Sequence, residues 1–291
     1  MKLQKGLDSF QLKIIALIFM TIDHIAVFGL LSPFSDTVHT VFRSAGRIAA
    51  PIFLFILVQG LLHTRSKLKF IVRLYIAAAA VEALNVIFQL GFFAGYPFTP
   101  GNIFRTLMYT ALYITCIEYI INAVKKNEYK KMILPLFGMI LPFVAAWIFS
   151  LASQYADLYM QAPLIPLRGI DILTMLLCPI HTIEFSLLFV VLGVVWYFVN
   201  RKMLNCLILV LLSGISYLLN HTLFMDLPFS NVLSFNFYQL FVSVQWYMVL
   251  AVPFIAFYNE EKGRSLKYFF YIYYPLHQYV LFLLAIILFK T

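Results

Sequence analysis

Asp23 and His24 stand side by side in MTIDHIAVF, inside an otherwise apolar run, LKIIALIFMTIDHIAVFGLL. A carboxylate and an imidazole are common agents of proton transfer. Within a bilayer an ionisable group costs on the order of 2.5–3.5 kcal/mol on insertion scales, so such groups face a cavity or one another. Four further sets follow the same pattern. Arg43 and Arg47, in FRSAGRIAAPIF, lie one helical turn apart on one face, with Ser44, Gly46 and Ala49 small enough for close backbone approach. Arg47 falls within the apolar run and needs an acidic or carbonyl partner, for which Asp23 and Glu82 both qualify. Glu82, Asn85 and Gln89 form a polar stripe at helical spacing, and Arg105 opens the next apolar run. In the last run, FFYIYYPLHQYVLF, His277 lies near the centre and Pro275 frees carbonyls. Two readings stay open at this level: polar contacts that hold helices together, or a cavity in which protons move.

The elements that carry these residues follow from composition. The chain has 291 residues, 63% hydrophobic and 11% charged, with mean hydropathy +0.91. A soluble domain carries about 25% charged residues. Apolar runs of about twenty residues recur along the whole length, so the fold class is all-α, a polytopic transmembrane helical bundle forming a single integral-membrane domain over 1–291. The basic leader MKLQKGLDSFQLK lacks a small-residue cleavage site, so the first run reads as a retained helix. Cys116, Cys178 and Cys206 are scattered, which suggests neither a disulfide framework nor a metal cluster. His181 and Glu184, one turn apart, do not by themselves make a metal site, and no metal is expected. The lysines and arginines behind the net charge of +9 fall mostly in loops of one side, which points to membrane topology rather than to nucleic acid.

Nine spans are expected near 12–31, 46–63, 70–92, 103–123, 132–151, 170–199, 203–223, 235–257 and 268–290, with eight to eleven allowed. Lysines and arginines gather before the first span and in alternate loops, from Arg65, Lys67, Lys69 and Arg73 to Lys262, Arg264 and Lys267. The bias puts the N-terminus in the cytoplasm and the chain in the plasma (inner) membrane. His24 then sits about 18 Å from the inner edge, slightly past the midplane, and Asp23 points about 100° away around the helix. Residues 163–181, with three prolines and a charged pair, read as a re-entrant, interfacial or broken segment.

Three stretches carry a resemblance: LKIIALIFMTIDHI, GRIAAPIFLFILVQGLLHTRSKLKFIVRL and KYFFYIYYPLHQYVLF. They resemble the TraX family, membrane acetylases named for conjugative pilin modification, and cover the first third and last tenth of the chain. The family is similar to a broader group of transmembrane acyltransferases that move acetyl from cytoplasmic acetyl-CoA to an acceptor across the membrane. The resemblance implies a catalytic histidine in the first helix, which falls on His24.

An acetyl thioester needs a deprotonated nucleophile, a stabilised oxyanion and two substrates held together. With that chemistry, His24 acts as general base, worth about 10²–10⁴ in rate. Asp23 or Glu82 orients its ring, and Arg47, Arg43, Arg105, Asn85 or His277 meets the acceptor or the oxyanion. His63, Arg65, Lys67, Lys69 and Arg73 lie on the cytoplasmic side to bind coenzyme A phosphates. The expected partners are acetyl-CoA, the lipid bilayer, and an envelope protein (a pilin N-terminus) or a cell-surface glycan. Direct transfer is the first expectation and an acetyl-His24 intermediate the second. A transporter or proton relay using His24, Glu82 and His277 is the alternative function, and a secretion or pilus scaffold a third.

Overall fold

The computed structural model describes residues 6–90, 101–159, 178, 180, 183, 184, 187–221, 244–265 and 267–289. They form helices α1 (Ser9–Val27), α2 (Asp36–Gly46), α3 (Ala49–Leu62), α4 (Lys67–Leu90), α5 (Ile103–Lys125) and α6 (Ile133–Tyr159). After them come α7 (Leu187–Val199), α8 (Lys202–His221), α9 (Val252–Ala256) and α10 (Lys267–Phe289). Short 3-10 segments at Tyr129–Met132 and Gln245–Ala251 precede α6 and α9. No strand occurs among the described residues beyond one isolated bridge, Leu7 with Tyr258.

Among the described residues, six helical stretches are long and apolar enough to cross a membrane: Ser9–Val27, Asp36–Leu62, Lys67–Phe88, Ile103–Lys125, Tyr129–Leu151 and Tyr268–Phe289. They overlap six of the expected spans, although the second begins at Asp36 and not near residue 46. Of the expected spans 170–199, 203–223 and 235–257, the described residues include the apolar helical stretches Leu187–Val199, Lys202–Leu218 and Gln245–Ala256, and part of each span lies outside the described residues. The segment 163–181, apart from Cys178 and Ile180, lies outside the described residues, as do His181 and the side chain of Gln89. The outward surface is oily: Leu134 on α6 is 76% exposed and Trp147 65%. In a membrane protein such a surface faces lipid tails.

Local sequence explains the helix boundaries. Asp8 accepts from the Gln11 amide while Gln11 answers the Asp8 amide, a capping box that starts α1. The α5 end closes on Asn127, in the left-handed region at φ 55°, with Glu128 N–H donating to Ala123 and Asn127 N–H to Val124. Between α2 and α3, Pro51 cannot donate to the Arg47 carbonyl, and the Arg47 and Ile48 amides instead reach three residues back, to Ser44 and Ala45. The span Asp36–Leu62 therefore tightens at Arg47.

The chain divides into two compact units, residues 1–62 with 195–291, and residues 63–194. In the first, Phe55 and Trp196 are fully buried edge to face at 6.0 Å, and Tyr258 meets Phe55 at 5.4 Å. Leu7 and Asn259 exchange backbone bonds with this corner, Leu7 N–H to Phe257 at 2.8 Å and Asn259 N–H to Leu7 at 2.9 Å. The start of α1 is thereby stitched to the segment before α10. Phe10 meets Phe270 and Phe28 meets Phe282, so α1 and α10 run in the same direction. In the second unit α5 is the central element, with Thr106, Tyr109, Thr110, Ala111 and Ile114 buried.

Candidate functional site

Consecutive residues of a helix point about 100° apart, and Asp23 and His24 use the difference. Asp23 faces α2. There Gly46 has no side chain, and a Cβ at that position would overlap the Asp23 Cβ and carboxylate. This close approach lets one oxygen, Oδ1, accept from Arg43 Nη1 at 2.8 Å and from Arg47 Nη2 at 3.0 Å. Of the two partners open to Arg47 on sequence grounds, Asp23 is the one it meets.

The Arg47 guanidinium is held on three sides. Its Nε donates to the Arg43 carbonyl at 3.2 Å, an acceptor released because the Arg47 amide turns to Ser44. Its Nη1 donates to Gln245 Oε1 at 3.1 Å. Gln245 is buried on the 3-10 segment ahead of α9 and was not singled out from sequence. The available signal was a lone amide in the apolar run SVQWYMVLAVPF. Of the five N–H donors of Arg47, these bonds place three.

His24 turns to α10. Its ring is buried, with Nδ1 2.7 Å from the Met20 carbonyl oxygen, so the preceding helical turn holds the imidazole while Asp23 answers the guanidiniums. The His277 ring stands edge to face with it, centroids 4.8 Å apart. His277 Nδ1 lies 3.0 Å from the Tyr273 carbonyl oxygen and its ring stacks on Tyr273, whose hydroxyl meets Thr21 at 2.8 Å. Thr21 and Tyr273 are further participants that sequence alone did not indicate, because hydroxyls in apolar helices are common and their meeting depends on helix pairing.

The second unit gathers its own polar cluster. Arg105 Nη2 lies 2.9 Å from Glu82 Oε2, with the arginine side chain 4% exposed and the glutamate 17%. Asn85 Nδ2 donates to the same Glu82 oxygen at 3.4 Å. The Cys178 thiol is in hydrogen-bonding contact with Arg105, and Tyr109 donates its hydroxyl to the Cys178 carbonyl. Cys178 itself sits at φ 41°, and all three cysteines are free. Lys67 forms an ion pair with Glu118, while His63, Arg65, Lys69 and Arg73 are exposed around the start of α4. Among the described residues, no three His, Cys, Asp or Glu side chains gather as metal ligands.

A family model described as TraX protein matches residues 9–285, nearly the whole chain. No curated protein and no solved structure matches it. The match includes α1 with Asp23 and His24, the Arg43–Arg47 turn and α10 with His277. The chain belongs to the TraX family.

Proposed function

We propose that this protein is a membrane-embedded acetyltransferase that moves acetyl from cytoplasmic acetyl-CoA to an amine or hydroxyl of an envelope acceptor, with His24 as general base. The observation that carries the reading is the His24 ring itself. It is buried in a membrane-length helix, with Nδ1 fixed by the Met20 carbonyl, which leaves Nε2 as the proton-accepting atom. Membership of the TraX family supports the reading, since the resemblance to that family implies pilin acetylation.

In the proposed reaction the acceptor's hydrogen passes to His24 Nε2 as its nitrogen or oxygen attacks the thioester carbon. The carbon–sulfur bond breaks, and the coenzyme A thiolate takes the proton back from the imidazolium. Arg47, held rigid by Asp23, Arg43 and Gln245, keeps two N–H donors for charge that develops on the acyl oxygen. Arg43 and Asp23 set its position. His63, Arg65, Lys67, Lys69 and Arg73 are the proposed coenzyme A contacts, their charges suited to its phosphates. For Glu82, Asn85 and Arg105 we propose a substrate-facing polar wall within the second unit.

The topology proposed with this function is nine spans, N-terminus cytoplasmic and C-terminus outside, in the plasma membrane. Parallel α1 and α10 support it, because two spans of the same direction require an odd total. A proton relay is the second reading, favoured by the contact of the His24 and His277 rings. Mass spectrometry of envelope proteins and glycans from cells with and without the gene tests the first reading. The expected result is an acetyl mass lost from one component on deletion; an unchanged envelope together with proton flux in proteoliposomes would favour the relay.

A further inference from the structure

His24 and His277 are tied to their own helices in the same way. Each Nδ1 lies within hydrogen-bond distance of the carbonyl four residues earlier, 2.7 Å to Met20 and 3.0 Å to Tyr273. A carbonyl oxygen only accepts, so in each neutral ring the hydrogen sits on Nδ1 and Nε2 keeps its lone pair. His277 is 6% exposed, and its Nε2 is buried with no hydrogen-bond partner among the described residues. The Tyr273 stack, itself anchored to Thr21, fixes the ring plane. A buried acceptor held rigidly without a donor is rare in a settled core, and a donor on a bound substrate would complete it.

We infer that His277 is a second catalytic residue, its Nε2 accepting one hydrogen of an amine nucleophile while His24 Nε2 takes the other. The inference rests on the acetyl-transfer reading above. It also changes the role expected of His277 from sequence, because a nitrogen that carries no hydrogen cannot donate to an oxyanion. The atoms balance as follows. The N–H bond facing His24 breaks, the nitrogen–carbonyl bond forms, the carbon–sulfur bond breaks, and the thiolate receives the proton that His24 took. The second N–H stays on the product amide, bonded to His277 throughout. A hydroxyl has one hydrogen to give and leaves His277 unpartnered, so the pair of rings discriminates between acceptor classes.

The test uses the full-length protein in proteoliposomes with acetyl-CoA and, as bilayer-soluble acceptors, octylamine or octanol, reading coenzyme A release. Wild type is expected to prefer the amine. His277→Phe keeps a ring but no acceptor and should lower the amine rate about 10- to 100-fold, several times more than it lowers the slower alcohol reaction. His277→Gln, with an amide oxygen near the former Nε2, should restore part of the amine rate. Equal loss with both acceptors in His277→Phe, or no loss, overturns the inference. Turnover of neither acceptor by wild type overturns the underlying acetyl-transfer reading instead. Nitrogen-15 spectra of histidine-labelled protein, with His277 assigned by difference, give a second measure that does not depend on variants folding. A hydrogen on His277 Nε2 in the resting protein would contradict the proposal.

Discussion

Replacing Asp23 by Asn keeps the side-chain shape and removes the one negative charge that Arg43 and Arg47 share. Two unit charges about 4 Å apart attract by about 4 kcal/mol at an effective dielectric of about 20, before desolvation is subtracted. Removing one member of a buried pair costs about 3–5 kcal/mol. Asp23 and Arg47 side chains are each 14% exposed, so a value somewhat below that range, about 2–3 kcal/mol, is expected for Asp23→Asn. Arg43 is 28% exposed and better screened. A double-mutant cycle between Asp23→Asn and Arg47→Gln should therefore give a coupling energy of about 1.5–3 kcal/mol, and one with Arg43→Gln about 0.5–1.5 kcal/mol. Reversible unfolding of the full chain in mixed detergent micelles provides the measurement. Coupling below about 0.5 kcal/mol for Arg47, or a larger value for Arg43 than for Arg47, would refute the reasoning that burial ranks the two contacts.

Other outcomes follow from neighbouring contacts. Gly46→Ala places a Cβ onto the Asp23 side chain and should destabilise the protein by about 1–3 kcal/mol, read in the same unfolding experiment. Asp8→Ala removes the capping box at the start of α1 and should cost about 1 kcal/mol, seen as a lower melting midpoint. Arg65→Ala and Lys69→Ala, both at exposed positions, should each weaken coenzyme A binding about 2- to 5-fold by calorimetry; unchanged affinity would remove them from the phosphate site. Glu118→Gln releases Lys67 from its ion pair and should leave coenzyme A affinity equal or tighter, whereas weaker binding would place Glu118 itself at the ligand.

Much of the site was legible because ionisable residues in apolar helices are few and their spacing is regular. One-turn spacing put Arg43 and Arg47 on one face, and the small Gly46 marked the approach to Asp23. The 100° offset of Asp23 from His24 was legible, but the expectation that Asp23 orients the imidazole was not met: the Met20 carbonyl holds the ring and Asp23 accepts from Arg43 and Arg47. What spacing could not reveal were pairings set by the fold. His24 and His277 are 253 positions apart, and their contact depends on α1 and α10 running side by side in one direction. Gln245 sits on a 3-10 segment, where helical periodicity does not apply, and its role depends on a guanidinium from elsewhere in the chain. Between residues 170 and 257 the expected spans run partly outside the described residues, whereas for the first five spans and the last, apolar length and helix length agree.

The central claim is that His24 takes a proton during acetyl transfer. Its most direct test is the envelope acetyl mark in cells carrying His24→Ala, with the variant's membrane level and melting midpoint measured alongside. Loss of the mark, about 10²-fold or more, from a protein that still folds is the predicted result. An undiminished mark from a stable His24→Ala protein would contradict it.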